Sequence, residues 1–128
     1  MLSGMFKRHL KSKKTPIDVF NLWVKLFESY DFETLHSKIR KSELNPYIPI
    51  INGLYPLHLA CIQGNINAVN FLLEYGVSIN VKSNMGKTPI DEAKFYGYTD
   101  CVDVLIEAEN IKNNIKEMDF EGLFNFYY

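Results

Sequence analysis

NGLYPLHLACIQGN, residues 52–65, and MGKTPIDEAKFYGY, residues 85–98, share a skeleton at a fixed offset. Moving the first onward by 33 places Gly53 on Gly86, Pro56 on Pro89, Ala60 on Ala93 and Gly64 on Gly97. The same shift carries Val69 onto Val102 and Leu72 onto Leu105, with no gap. Coincidence of glycines, prolines and apolar positions at one offset is an internal repeat.

The physics of one unit follows from its residues. A Gly-led turn is followed by Pro56 or Pro89, where a helix begins and a missing N–H costs nothing. Leu57, Ala60 and Cys61 then recur at helical spacing, and Gly64 or Gly97 ends this short helix in a left-handed conformation. Ala60 and Ala93 are small where two helices approach closely. A second helix follows, with Ile66, Val69, Leu72 and Leu73 in one unit and Val102, Val104, Leu105 and Ile106 in the next. Gly76 closes the first of these, and VSINVKSNMGK (77–87) crosses to the next unit as a polar loop. Two short antiparallel helices cannot bury their own apolar stripe, so they stack on like neighbours.

Residues 52–108 resemble ankyrin repeats. The family's G-x-TPLH-x-A-x-x-G pattern is matched from Gly53 to Ala60 with Gly64 beyond, and from Gly86 to Ala93 with Gly97 beyond. FLLEYGVSIN (71–80) is similar to the family's second-helix ending. Tyr55 stands for the motif Thr, Asp91 for the motif His, and residues 107–110 lack the closing Gly. The resemblance implies an all-α, ankyrin-type helical-hairpin solenoid of about three repeats with N- and C-terminal capping helices. The expected organisation is a basic arm at 1–14 and one domain over 15–128. Within that domain we expect an N-terminal capping repeat (15–51), repeats at 52–84 and 85–108, and a C-terminal cap or tail (109–128).

The capping repeat rests on IDVFNLWVKLFESYD and DFETLHSKIRKSEL, with Phe20, Trp23, Val24, Leu26 and Phe27 on one apolar face and Phe32, Leu35 and Ile39 on the other. Asp18 is an early-turn acid and Asp31 a cap for the second helix. The TPLH signature is expected to be absent from this unit. NPYIPI (45–50) is the first inter-repeat loop, held extended by Pro46 and Pro49. At the other end Phe120, Leu123, Phe124, Phe126, Tyr127 and Tyr128 crowd together, as a cap folded back on the domain or as a motif docking on a partner.

Chemistry has few footholds. The resemblance makes His58 structural, bridging loop and helix start, with its hydrogen bonds rearranged around Tyr55. The rival reading, catalysis by His58, Cys101 or the Asp91–Glu92 pair, lacks a nucleophile and base brought together by any motif. Cys61 fills core volume, and Cys101 near a helix start is reactive only if exposed. His9, His36 and His58 show no metal-ligand spacing, and the glycines are spent on turns rather than on a phosphate cradle. No catalytic residue, cofactor or metal is expected.

Charge and compartment narrow the rest. The net charge is −1, but Lys7, Arg8, Lys11, Lys13 and Lys14 make the first end basic, and nine acids from Asp91 onward make the other acidic. Outside the arm the basic residues are too few for a phosphate-binding field, so nucleic acid is not the expected partner. No apolar run is long enough to insert in a membrane, and the N-terminus lacks the apolar core of a secretory signal. Two cysteines among 128 residues suit a reducing compartment, the cytoplasm, with the nucleus as an alternative given KRHLKSKK.

Function is therefore expected on a surface. Carrying the family's variable surface positions onto this chain gives Ile51, Asn52, Leu54, Ile62 and Gln63 in one unit. In the next it gives Asn84, Met85, Lys87, Phe95 and Tyr96. Apolar and aromatic side chains that the fold does not require have the composition of interface anchors. The expected partner is another protein, bound by a monomer or within a hetero-complex, and inhibited or scaffolded. An immunity-type protein blocking an active cleft, and an accessory subunit of a larger assembly, are the alternatives.

Overall fold

The computed structural model describes residues 14–117. The basic arm before Lys14 and the aromatic tail from Met118 lie outside the described residues. Among the described residues six helices follow in order: α1 (Pro16–Glu28), α2 (Phe32–Arg40), α3 (Pro56–Gln63), α4 (Ile66–Glu74), α5 (Pro89–Tyr96) and α6 (Thr99–Glu117). They form three hairpins, and the described solenoid is all-helical apart from one bridge between Ile51 and Leu54. Among these residues no helix is long and apolar enough to cross a membrane.

Each first helix opens on a proline, and the residue two places beyond it reaches back to the cap. Thr88 accepts from the Asp91 N–H at 3.2 Å, while the Asp91 carboxylate accepts from the Thr88 N–H at 3.0 Å. Thr15 and Asp18 make the same reciprocal box. This overturns the expectation that the first hairpin lacks the signature. Lys14-Thr15-Pro16-Ile17-Asp18 repeats Lys87-Thr88-Pro89-Ile90-Asp91 letter for letter. The offset of 33 misses it because α1 has 13 residues where α3 and α5 have 8. In the middle hairpin the N-cap is Tyr55, and the returning half of the box is made by His58 in the place of Asp.

The hairpin bends use two solutions. Gly64 (φ 65°) and Gly97 (φ 77°) turn the second and third in the left-handed region. A methyl group on Gly64 would also meet the Tyr98 ring at 2.6 Å, so this position needs glycine twice over. In the first hairpin Tyr30, at φ 54°, makes the left-handed turn instead. Asp31 and Asn65 then cap α2 and α4, accepting from Thr34 and Ala68 at 3.1 Å.

The stack is built around the middle hairpin. Helix α3 packs between α1 and α5, and every residue from Pro56 to Cys61 is buried. Ala60 and Ala93 have no exposed surface, which lets α3 and α5 lie close together. Trp23, Phe27 and Leu35 complete the core on one side, and Cys101 and Leu105 on the other. The Asn65 amide donates to the Phe27 carbonyl at 2.9 Å, tying the middle hairpin to the end of α1.

The boundary expected at Ala108 falls inside a helix. Helix α6 runs on to Glu117, 19 residues against 9 in α2 and α4. The missing Gly at 107–110 leaves nothing to stop it. The overhang is about 15 Å long, at about 1.5 Å per residue.

Candidate functional site

His58 is fully buried, and both ring nitrogens are engaged by backbone. Its Nδ1 accepts from the Tyr55 N–H at 2.9 Å, so the proton is on Nε2, which donates to the Lys87 carbonyl at 2.7 Å. The imidazole thus bolts the start of α3 to the loop that opens the third hairpin. Burial holds its pKa below the ordinary 6.5, opposed by the Lys87 carbonyl and Glu92. Protonation would also place a hydrogen on Nδ1, facing the Tyr55 N–H.

A pH dependence of stability follows. The unfolded chain takes up this proton as pH falls through about 6.5, and the folded chain only lower. Stability is therefore fullest above about 6.5 and declines as pH falls through that value toward the folded-state pKa. Asp18, Asp31 and Asp91 are held below the ordinary carboxylate value by hydrogen bonds from Thr15, Thr34 and Thr88. Their contributions persist until the solution is more acidic, leaving the interval just below about 6.5 to histidine. The urea midpoint of the wild type should fall between about pH 7.5 and 5.5. His58→Gln, whose amide offers an acceptor and a donor, should flatten that slope.

The thiols are equally occupied by structure. Cys61 and Cys101 are free and buried. Burial pushes the Cys61 thiol up, and burial with Asp100 beside it pushes Cys101 up to about 11. A buried, protonated thiol is a poor nucleophile.

The ten surface positions divide by hairpin. Met85 and Phe95 are 82% and 80% exposed and Tyr96 49%. Phe95 and Tyr96 meet edge-on with centroids 5.0 Å apart, and Tyr96 stacks on Tyr98 at 6.2 Å. A cleft of about 580 Å³ runs between Met85 and Phe95, lined by Lys87, Asp91, Glu92 and Lys94. Its two carboxylates and two ammonium groups balance. Glu92 and Asp91 precede Phe95 by three and four residues, the helical spacing that puts them on its face. They were legible in the sequence as a carboxylate pair but not as the wall of this cleft.

The middle hairpin contributes differently. Ile51 and Leu54 are half-buried and joined by their own backbone, with the Leu54 N–H donating to the Ile51 carbonyl at 2.8 Å. Asn52 is exposed at φ 54°, and its carbonyl accepts from the Asn84 N–H at 3.0 Å. That contact stitches successive loop tips together and brings Asn52 and Asn84 to one edge. Ile62 and Gln63, at the end of α3, are half-buried. The Gln63 side-chain oxygen is buried without a hydrogen-bond partner among the described residues.

A family model for ankyrin repeats, in three copies, matches residues 21–117. Ankyrin repeat and SOCS box protein 3 of Bos taurus is 41% identical over 64 residues, covering 50% of this chain and 12% of that protein. Alpha-latrotoxin-Lh1a of Latrodectus hasselti is 36% identical over 91 residues, covering 70% of this chain and 6% of the toxin. The chain thus spans about an eighth or less of these relatives' lengths. Among solved structures, a chain from the complex of a Bdellovibrio bacteriovorus predatory endopeptidase with an immunity protein superposes with a TM-score of 0.59 at 27% identity. The likeness covers 67% of this chain and 45% of that one. With three helical hairpins in one stack and the family model running through all of them, the chain belongs to the ankyrin-repeat family.

Proposed function

We propose that the chain is a non-enzymatic interaction module that binds a partner protein through the loop tips and first helices, and inhibits or scaffolds it. The carrying observation is the exposure of Met85 and Phe95 on a shared cleft, with the exposed Tyr96 edge-on to Phe95, three large side chains that the core leaves to solvent. Ankyrin repeats are protein-interaction modules, and solenoids of this kind present such a face to their partners. His58, Cys61 and Cys101 are committed to structure, which supports a binding rather than a catalytic role. Two free thiols favour a reducing compartment.

A second reading has this face entering another protein's active cleft, in the manner of an immunity protein. The likeness to a chain of the endopeptidase–immunity protein complex supports it, and the acidic half from Asp91 onward suits a basic target. Capture from extract of the native host tests both readings. The immobilised chain should retain a partner protein, and should lose it when Phe95 and Tyr96 are both replaced by Ala. Replacing Ile17 and Tyr30, exposed on the first hairpin, should leave capture intact. Loss with the second pair and not the first would place the contact elsewhere; a captured peptidase would favour the cleft-blocking reading.

A further inference from the structure

The cleft beside Phe95 contains a charge that the hairpin itself does not answer. At the repeat offset Glu92 stands where the middle hairpin has Leu59, and Lys94 where it has Cys61. Leu59 and Cys61 are buried, whereas Glu92 is half-buried and Lys94 exposed. Burial dominates the shifts of His58 and Cys61, and the Glu92 charge adds an upward push on both, so its carboxylate lies within reach of α3. Among the described residues that carboxylate accepts no hydrogen bond and joins no ion pair. Asp91 is different. It is held below the ordinary carboxylate value first by Thr88, whose N–H it accepts, and then by Lys87 and Lys94. The two ammonium groups thus answer Asp91, and Glu92 shares the lining with Met85 and Phe95 unpaired.

We propose that the cleft takes an arginine side chain of the partner protein, guanidinium on Glu92 and aliphatic stem along Met85, a step that rests on this face being the interface proposed above. A half-buried carboxylate is partly stripped of water, and a cation set on it is screened less than at an open surface. Guanidinium fits better than ammonium. Its planar fork can meet both carboxylate oxygens, it is more weakly hydrated, and it stacks on aromatic faces. Phe95, 80% exposed, offers such a face. Met85, 82% exposed, offers apolar surface to the methylenes that lead to the charge. An acidic side chain on Lys87 and Lys94 is the competing occupant, but both lysines are exposed, where an ion pair gains little.

The test is a titration of the full chain with N-acetyl-arginine methylamide, followed by NMR at the Met85 methyl and the Phe95 ring. Saturable shifts of both signals in the millimolar range are the expected result. The norleucine counterpart, which has an apolar stem without the charge, and the glutamate counterpart should leave both signals in place. Glu92→Gln should weaken the arginine response about tenfold, and Asp103→Asn, an exposed carboxylate on α6 outside the cleft, should not. No saturable shift with the arginine compound would overturn the proposal. So would equal shifts with norleucine, stronger shifts with glutamate, or an unchanged response in Glu92→Gln. A partner lost on replacing Phe95 and Tyr96, with no arginine response, would leave the binding face standing and remove the arginine alone.

Discussion

Replacing His58 by Ala is expected to lower the stability of the chain by about 3 kcal/mol, from two sources. One is a polar group left without a partner. The Tyr55 N–H loses its acceptor, whereas the Lys87 carbonyl keeps the Ser83 N–H at 2.9 Å. A buried, unsatisfied donor costs about 1–3 kcal/mol. The other is the void left by a fully buried ring in the contact between α3 and the next loop. Against a total of about 5–15 kcal/mol for a domain, this is a large share. Asp91→Ala, at the equivalent place in the next hairpin, is the comparison. Asp91 is exposed and serves only its own cap, so its loss should cost about 1 kcal/mol. Urea unfolding followed by circular dichroism reads both, as a shift of midpoint at constant slope. A His58→Ala cost no larger than that of Asp91→Ala would show that the histidine serves its own helix and does not bolt two hairpins together.

The contrast between His58 and Asp91 also marks what was legible in the sequence. Proline before the first helix and glycine after it identified the hairpins, because each answers a local backbone demand that no neighbour can alter. The role of His58 came from the resemblance, and its partner, the Lys87 carbonyl 29 residues away, needed coordinates. The first hairpin's KTPID was present but out of register, since the longer α1 breaks a comparison at fixed offset. Tyr30 in the left-handed turn carried no signal, because its neighbours and not its own preference put it there. Among the surface positions, Met85, Phe95 and Tyr96 are exposed as their repeat positions implied. Ile51 and Leu54 are not, because a backbone bridge draws them in and side-chain type says nothing about that bridge.

Replacing Phe95 and Tyr96 together by Ala should weaken partner binding by at least about a hundredfold and leave folding nearly unchanged. The two effects separate because the rings are placed unequally between core and solvent. Phe95 is 80% exposed, so the folded state has little to lose with it. Tyr96 gives up part of its buried area and its stack on Tyr98, and Ala returns some of this as the best helix former at the end of α5. The net change in stability should stay within about 1 kcal/mol. In a complex the same rings would be desolvated against the partner, and aromatic anchors of that kind cost about 2 kcal/mol or more each when truncated. The cleft's charges are balanced, Lys87 and Lys94 against Asp91 and Glu92, so the affinity should depend only weakly on salt. Titration calorimetry with the captured partner, beside thermal unfolding of the same variants, measures both quantities. A melting point that falls in step with affinity would make the rings part of the fold, and an affinity that does not move would take the interface away from this face.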